Sequence, residues 1–268
     1  MPKFAANIGW LAQEVPMLER FQLVRDLGFA AVECPISVYD EEASAMGDAA
    51  KAAGVEFVLF NSPPGSGDDS YGIAGLKGRE AEFQDTIGTA IDYANELGST
   101  YLHVLSGWQS GDWDREEGFA TFIDNLKWAC PVLAEAGLVA LTEPINWHAR
   151  PGYLVGTTAE GQRVVDAVKS AGHDNIGIQY DFHNAQIMEG DLARTFEKHL
   201  PDIRHVQIAG NPGRLPPDEG EINYPFVFDL CDRLGFDGWL GLEYAAHDKT
   251  QPGATKASLK WATAYGLG

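Results

Sequence analysis

Eight short apolar runs of this chain each close on a polar side chain: Asn7, Glu33, Asn61, His103, Glu143, Asp181, Gln207 and Glu243. A carboxylate at the end of an apolar strand is expensive to bury unless something pairs with it. The stretch IQYDFHNAQ, residues 178–186, poses the problem sharply: its apolar lead-in stops on Asp181, and His183 and Asn184 come next. Glu143, Asp181 and Glu243, brought to one place, would repel one another and could all ionise only around a cation. With Gln207 beside them, no Cys and little His, the set suits a hard divalent ion, Mg2+ or Mn2+, better than Zn2+. Taken singly, each acid has a plainer role open to it, pairing with an Arg or capping a helix N-terminus.

The elements that must position these residues are legible as an alternation. Strand-like runs recur as KFAANI, AAVECPI, EFVLFN, TYLHVLS, LVALTEPI, IGIQYD, IRHVQIA and WLGLEY. Between them, Phe83, Ile87, Ala90, Ile91, Ala94 and Leu97 follow helical spacing, as do Phe119, Phe122, Ile123, Leu126, Cys130 and Leu133. Thr157 with Glu160 forms a T-x-x-E capping box ahead of Val164, Val165 and Val168. Eight strands alternating with helices predict either a closed (β/α)8 TIM barrel or an open doubly wound sheet. The length suits the barrel, and the open sheet lacks its dinucleotide fingerprint: Gly65 and Gly67 are followed by Ser70 where a third Gly belongs. In a barrel the C-terminal strand ends converge on one mouth, so all eight polar residues would meet there.

The chain has 268 residues, 45% of them hydrophobic, which is enough for one large core and is read as a single domain over 1–268. No apolar run approaches the roughly 20 residues of a membrane span, and the N-terminus MPKFAANIGW has no signal-peptide pattern. Cys34, Cys130 and Cys231 are odd in number and form no CxxC, so they read as reduced core thiols of a cytoplasmic protein. A formal net charge of −20 opposes binding to nucleic acid and to anionic membranes. A small anionic substrate would then need a local positive group. Whether copies associate as a homo-oligomer stays open.

Ten stretches, from FAANIGW through EVPMLERF, LFNSPPG, GLKGRE, TEPIN, IQYD, MEGDL, HVQIAGNPGR and GEINY to GWLGLEY, carry a likeness that runs nearly end to end. Through them the chain resembles the hydroxypyruvate isomerase family, within the xylose-isomerase-like barrels. The resemblance implies a (β/α)8 barrel whose metal ligands are Glu143, Asp181, Gln207 and Glu243. It implies interconversion of hydroxypyruvate and tartronate semialdehyde (2-hydroxy-3-oxopropanoate) through an enediolate, with Glu143 and Glu243 as the acid/base pair. The substrate carboxylate needs a cation, and Arg214, in the loop after Gln207, is the first candidate; Arg79 in GLKGRE is the second. Asn61, His103, His183 and Asn184 are the further candidates for the substrate. His148, His173, His199 and His247 read as loop or helix-surface residues, and Trp10, Trp108 and Trp147 as pocket walls or packing.

The chain departs from the family pattern near the substrate. The family's D-x-x-H has Asn184 in the His position, with His183 one residue earlier. Its Glu-Tyr-Lys-Pro is Glu243-Tyr244-Ala245-Ala246 here, without the lysine. These changes leave the reaction class standing but keep open a 2-oxo-tetronate isomerase or a ketose 3-epimerase on the same site; a sugar-acid binding module without catalysis is a separate alternative, against which the two retained glutamates argue. An apurinic endonuclease on this barrel would need a His-rich zinc cluster and a basic face, whereas the chain has 7 His, no such cluster and a charge of −20.

Overall fold

The computed structural model describes residues 2–67, 71–108 and 113–268. Strands β1 (Lys3–Asn7), β2 (Ala31–Cys34), β3 (Glu56–Asn61), β4 (Tyr101–His103), β5 (Val139–Thr142), β6 (Ile176–Asp181), β7 (Ile203–Ile208) and β8 (Trp239–Leu242) pair in parallel, each with the next. β8 returns to β1, with Phe4 opposite Leu240, and closes the barrel. The open sheet is thereby excluded.

The intervening helices form where the spacing predicts them. Helix Glu80–Leu97 buries Phe83, Ile87, Ala90, Ala94 and Leu97, and helix Arg115–Glu135 buries Phe119, Phe122, Leu126, Cys130 and Leu133. Helix Thr158–Ser170 opens on the Thr157–Glu160 capping box, with both reciprocal hydrogen bonds made. Such a cap is worth about 1 kcal/mol. The apolar faces of these helices and the outward faces of the strands form the main core.

A second, smaller apolar cluster includes Ala5, Ala31, Leu59 and Leu141. Each stands two residues before Asn7, Glu33, Asn61 or Glu143. A period of two puts both members of each pair on the same face of the strand. The barrel interior is therefore plugged with small and aliphatic side chains at its N-terminal end and turns polar toward its C-terminal mouth. Register aligns the polar layer: Asn7 sits opposite Glu33, Asn61 opposite His103, and Asp181 opposite Gln207. A register shift at Ile178/Gln179 also sets Gln179 opposite His205, one step deeper.

Cys34, Cys130 and Cys231 are buried and free. Among the described residues no helix is long and apolar enough to cross a membrane.

Candidate active site

Glu143 and Glu243 stand just past the ends of β5 and β8, and Asp181 ends β6. One carboxylate oxygen from each of the three lies within 4.8 Å of the others. Glu143 and Glu243 line a cavity of about 1000 Å³ over the barrel mouth, together with Asn61, His183, Asn184 and Arg214.

Each acid is held by named donors. Glu143 accepts from Asn184 Nδ2 at 2.9 Å on one oxygen and from Gln179 Nε2 at 2.9 Å on the other. Asp181 accepts from the backbone N–H of His183 at 2.8 Å and from Arg214 at 2.6 Å. Glu243 accepts from Asn7 Nδ2 at 3.2 Å and pairs with the other terminal nitrogen of Arg214. Arg214 thus bridges two of the three acids, and it also donates to the backbone oxygen of Glu243 at 3.1 Å.

Below the acids runs a chain of buried amides. Gln179 donates to Gln207 Oε1 at 2.7 Å, and Gln207 donates to Glu33 Oε1 at 2.8 Å. The same Glu33 oxygen accepts from Asn7 at 2.8 Å, and Asn7 leads back to Glu243. The second Glu33 oxygen meets His205 Nε2. Glu143 and Glu243 are therefore linked through the barrel interior by side chains of β6, β7, β2 and β1.

Burial, with Glu243 and Asp181 adding to it, raises the Glu143 pKa well above the usual carboxylate range. Burial likewise pushes Glu243 up to about 7, against the opposing pull of Arg214. Burial works against the Arg214 charge, but Asp181, Glu243 and Glu143 outweigh it and lift its pKa above the ordinary guanidinium value. Two acids that resist ionisation beside a committed arginine are what a site for added positive charge looks like.

The expected residues fall into three groups. Asn61, Glu143, His183, Asn184, Arg214 and Glu243 line the cavity. Asp181, Gln207 and His103 lie at the mouth but beneath this lining, all 2% exposed or less. His103 has Nδ1 3.3 Å from Glu143 Oε2, yet among the described residues neither ring nitrogen makes a hydrogen bond, and burial lowers its pKa to about 3. Arg79 is not brought to the mouth. It stands at the start of helix Glu80–Leu97 and holds Glu82 at 2.8 Å and Ser66 at 3.0 Å.

The D-F-H-N segment has left the strand. Helix Phe182–Met188 begins directly after Asp181, whose side chain caps it. A helix turns about 100° per residue, so the His and the Asn need not face opposite ways as on a strand. His183 places Nδ1 3.1 Å from the backbone oxygen of Gly210, while Asn184 takes Glu143.

One expectation is corrected, and the tryptophan alternatives divide. His199 is 5% exposed rather than on the surface, because it packs inward and places Nδ1 2.8 Å from Gln162 Oε1. Of the three tryptophans, Trp10 lines the cavity beneath the Arg214 guanidinium, whereas Trp147 packs between Arg115 and the backbone of Tyr153 and Trp108 donates to the backbone of Pro151.

Sequence reasoning missed Gln179 and His205. Each stands two residues before a strand-end residue, Asp181 or Gln207, so the alternation that finds the mouth could have found the layer beneath it. Arg150 and Tyr71, also on the cavity wall, lie in loops and carried no such signal.

The chain matches the family model described as xylose isomerase-like TIM barrel over residues 21–265. It belongs to that family. It is 39% identical over 266 residues to a 2-oxo-tetronate isomerase of Cupriavidus necator, covering 99% of both chains. It is 34% identical over 266 residues to the hydroxypyruvate isomerase of Escherichia coli, covering 99% of this chain and 100% of the other. With relatives so named over nearly its whole length, it is an isomerase. A solved structure titled AP endonuclease, family 2, from Brucella melitensis superimposes with a TM-score of 0.90 at 40% identity, covering 99% of both chains. A 3-keto-D-glucoside 4-epimerase of E. coli, at 20% identity and a TM-score of 0.78 over 98% of this chain and 99% of the other, shares the fold.

Proposed function

We propose that the chain isomerises a small anionic hydroxy-oxo acid, moving its carbonyl one carbon along through an enediolate. Hydroxypyruvate, giving 2-hydroxy-3-oxopropanoate, is the substrate the sequence resemblance names first. The observation that carries this reading is the set of three carboxylates within 4.8 Å at the floor of the cavity. In the reaction one glutamate takes a proton from the hydroxymethyl carbon, and the electron pair left behind becomes the carbon–carbon bond of the enediolate. The other glutamate delivers a proton to the former carbonyl carbon, and the hydroxyl proton of the old alcohol passes to the former carbonyl oxygen as the new carbonyl forms. Glu143 and Glu243 take these roles because both face the cavity, whereas Asp181 is covered by Arg214. Gln179 and Asn184 fix both oxygens of Glu143, so its position costs nothing to establish at the moment of proton transfer.

Glu143, Asp181 and Glu243, with the amide oxygen of Gln207, would hold a divalent metal. The donors are all oxygen, which fits Mg2+ or Mn2+. Gln207 Oε1 accepts one hydrogen bond, from Gln179, and a carbonyl oxygen has a second lone pair to offer. When bound, such an ion polarises the substrate oxygens and acidifies the carbon between them.

A second reading, a 2-oxo-tetronate isomerase, is supported by the size of the cavity. About 1000 Å³ leaves ample room beyond a three-carbon acid. A ketose 3-epimerase would use the same acids, but the likeness to the solved 4-epimerase is one of fold alone. The endonuclease reading fits poorly: the acid cluster contains no His, and the chain carries −20. A binding module has no need of two proton-transfer groups facing its cavity. The buried, free thiols support a cytoplasmic location.

A coupled assay of hydroxypyruvate, 2-oxo-tetronate and a ketose panel, with and without chelator, tests the reading. Glu143→Gln and Glu243→Gln should each cut turnover by at least about a hundredfold while the fold survives. Near-normal turnover in either variant removes that residue from the mechanism.

A further inference from the structure

Two arginines line the cavity, Arg150 and Arg214, and their circumstances differ. Arg214 has its terminal nitrogens committed to Asp181, Glu243 and, at 3.3 Å, Asn184. Turning toward a substrate would break the ion pairs to Asp181 and Glu243. Arg150 sits over the ring of Tyr71, its guanidinium carbon 4.2 Å from the ring centroid. Among the described residues its guanidinium makes no ion pair and no hydrogen bond. Stacking occupies the face of a guanidinium and leaves its N–H edge free, which is the edge that grips a carboxylate through two parallel bonds.

Position supports the same role. Burial, helped by Glu143 and Glu243, holds the Tyr71 phenol above its ordinary range against the opposing pull of Arg214 and Arg150, so the ring lies within electrostatic reach of the acids and of both arginines. The turn that presents Arg150 is anchored to the acid site. The Arg150 backbone N–H donates to Asn146 O at 3.0 Å, and the Asn146 side chain donates to Asn184 Oδ1 at 2.6 Å. Asn184 in turn holds Glu143. One connected piece of structure therefore carries both an acid of the floor and the unspent cation of the wall.

We propose that Arg150, backed by Tyr71, anchors the carboxylate of the substrate, and that Arg214 is the counter-charge of the Asp181–Glu243 pair rather than the carboxylate receptor. This rests on the isomerase reading for the identity of the substrate, but not for the existence of the anion site. The test uses the full chain with Mg2+. Turnover of hydroxypyruvate and 2-oxo-tetronate is compared with that of uncharged dihydroxyacetone, and binding of the unreactive acid glycerate is measured by calorimetry. Arg150→Ala should weaken glycerate binding and raise KM for the acids by at least about tenfold, lowering kcat much less and leaving KM for dihydroxyacetone unmoved. Arg150→Lys should recover part of the loss. If the wild type turns over an acid and Arg150→Ala leaves its KM and the glycerate affinity unchanged, the anchor is wrong and the isomerase reading stands. If the wild type converts none of the acids but binds glycerate through Arg150, the anchor stands and the isomerase reading falls. Failure of glycerate to bind the wild type overturns the anchor.

Discussion

Asn184 donates to Glu143 Oε1 at 2.9 Å, joining the first turn of the helix after β6 to the end of β5. The contact fixes one oxygen of a proposed acid/base group. Asn184→Ala should lower kcat by roughly tenfold, the scale of one hydrogen bond to a charged group. In the Glu143→Gln background the same change should add little, because residues acting as a unit are not additive. Steady-state kinetics of the two single variants and the double variant decide it; full additivity would show that Asn184 acts independently.

Arg214 supplies the positive charge between Asp181 and Glu243. Arg214→Met leaves these buried acids without a partner, a change that typically costs about 3–5 kcal/mol. Thermal melting in chelator should show a marked loss of Tm, and Mg2+ or Mn2+ should restore more stability to the variant than to the wild type. An Arg214→Met melting curve indifferent to metal would remove the acid cluster as a cation site.

Gly241 in β8 has no side chain because the Glu33 carboxylate occupies the space where its Cβ would project. Gly241→Ala should destabilise by about 1–3 kcal/mol, the usual cost of overpacking a core. Adding Glu33→Ala relieves the clash while orphaning Asn7, Gln207 and His205, so the double variant should lose less than the two single costs combined. Urea unfolding measures all three.

His103 is buried and, among the described residues, without a hydrogen-bond partner at either nitrogen. Its folded pKa of about 3 lies below the ordinary 6.5, so the unfolded chain takes up a proton that the native state refuses. The stability tied to this residue is whole above pH 6.5 and is lost as pH falls toward 3. His103→Gln should flatten that part of the profile, by on the order of 3 kcal/mol at about pH 4 relative to the wild-type curve. Buried Glu143 and Glu243 push in the opposite sense over part of the range, because their raised pKa values let the native state keep protons the unfolded chain releases. The difference between wild type and variant isolates the histidine. Parallel profiles would mean that His103 titrates alike in both states.

Alternation of apolar runs along the chain predicts eight strands and their helices. A parallel closed barrel then leaves only one mouth at which Asn7, Glu33, Asn61, His103, Glu143, Asp181, Gln207 and Glu243 can meet. A strand's period of two is rigid, so the direction of a polar residue at its end can be read from the alternation alone. The residues beyond a strand end have no such period. Whether Asp181 leads into an extended loop or a helix decides where His183 and Asn184 point, and only the folded chain shows the helix. Arginines reach furthest from their backbones, and their partners are chosen by distance in space. Arg79 goes to Glu82, Arg214 to Asp181 and Glu243, and Arg150 to the face of Tyr71. The sequence by itself determined which acids share a site. The tertiary structure decided which arginine pairs with those acids and which sits over Tyr71, because long side chains on loops are placed by what they meet rather than by any repeat along the chain.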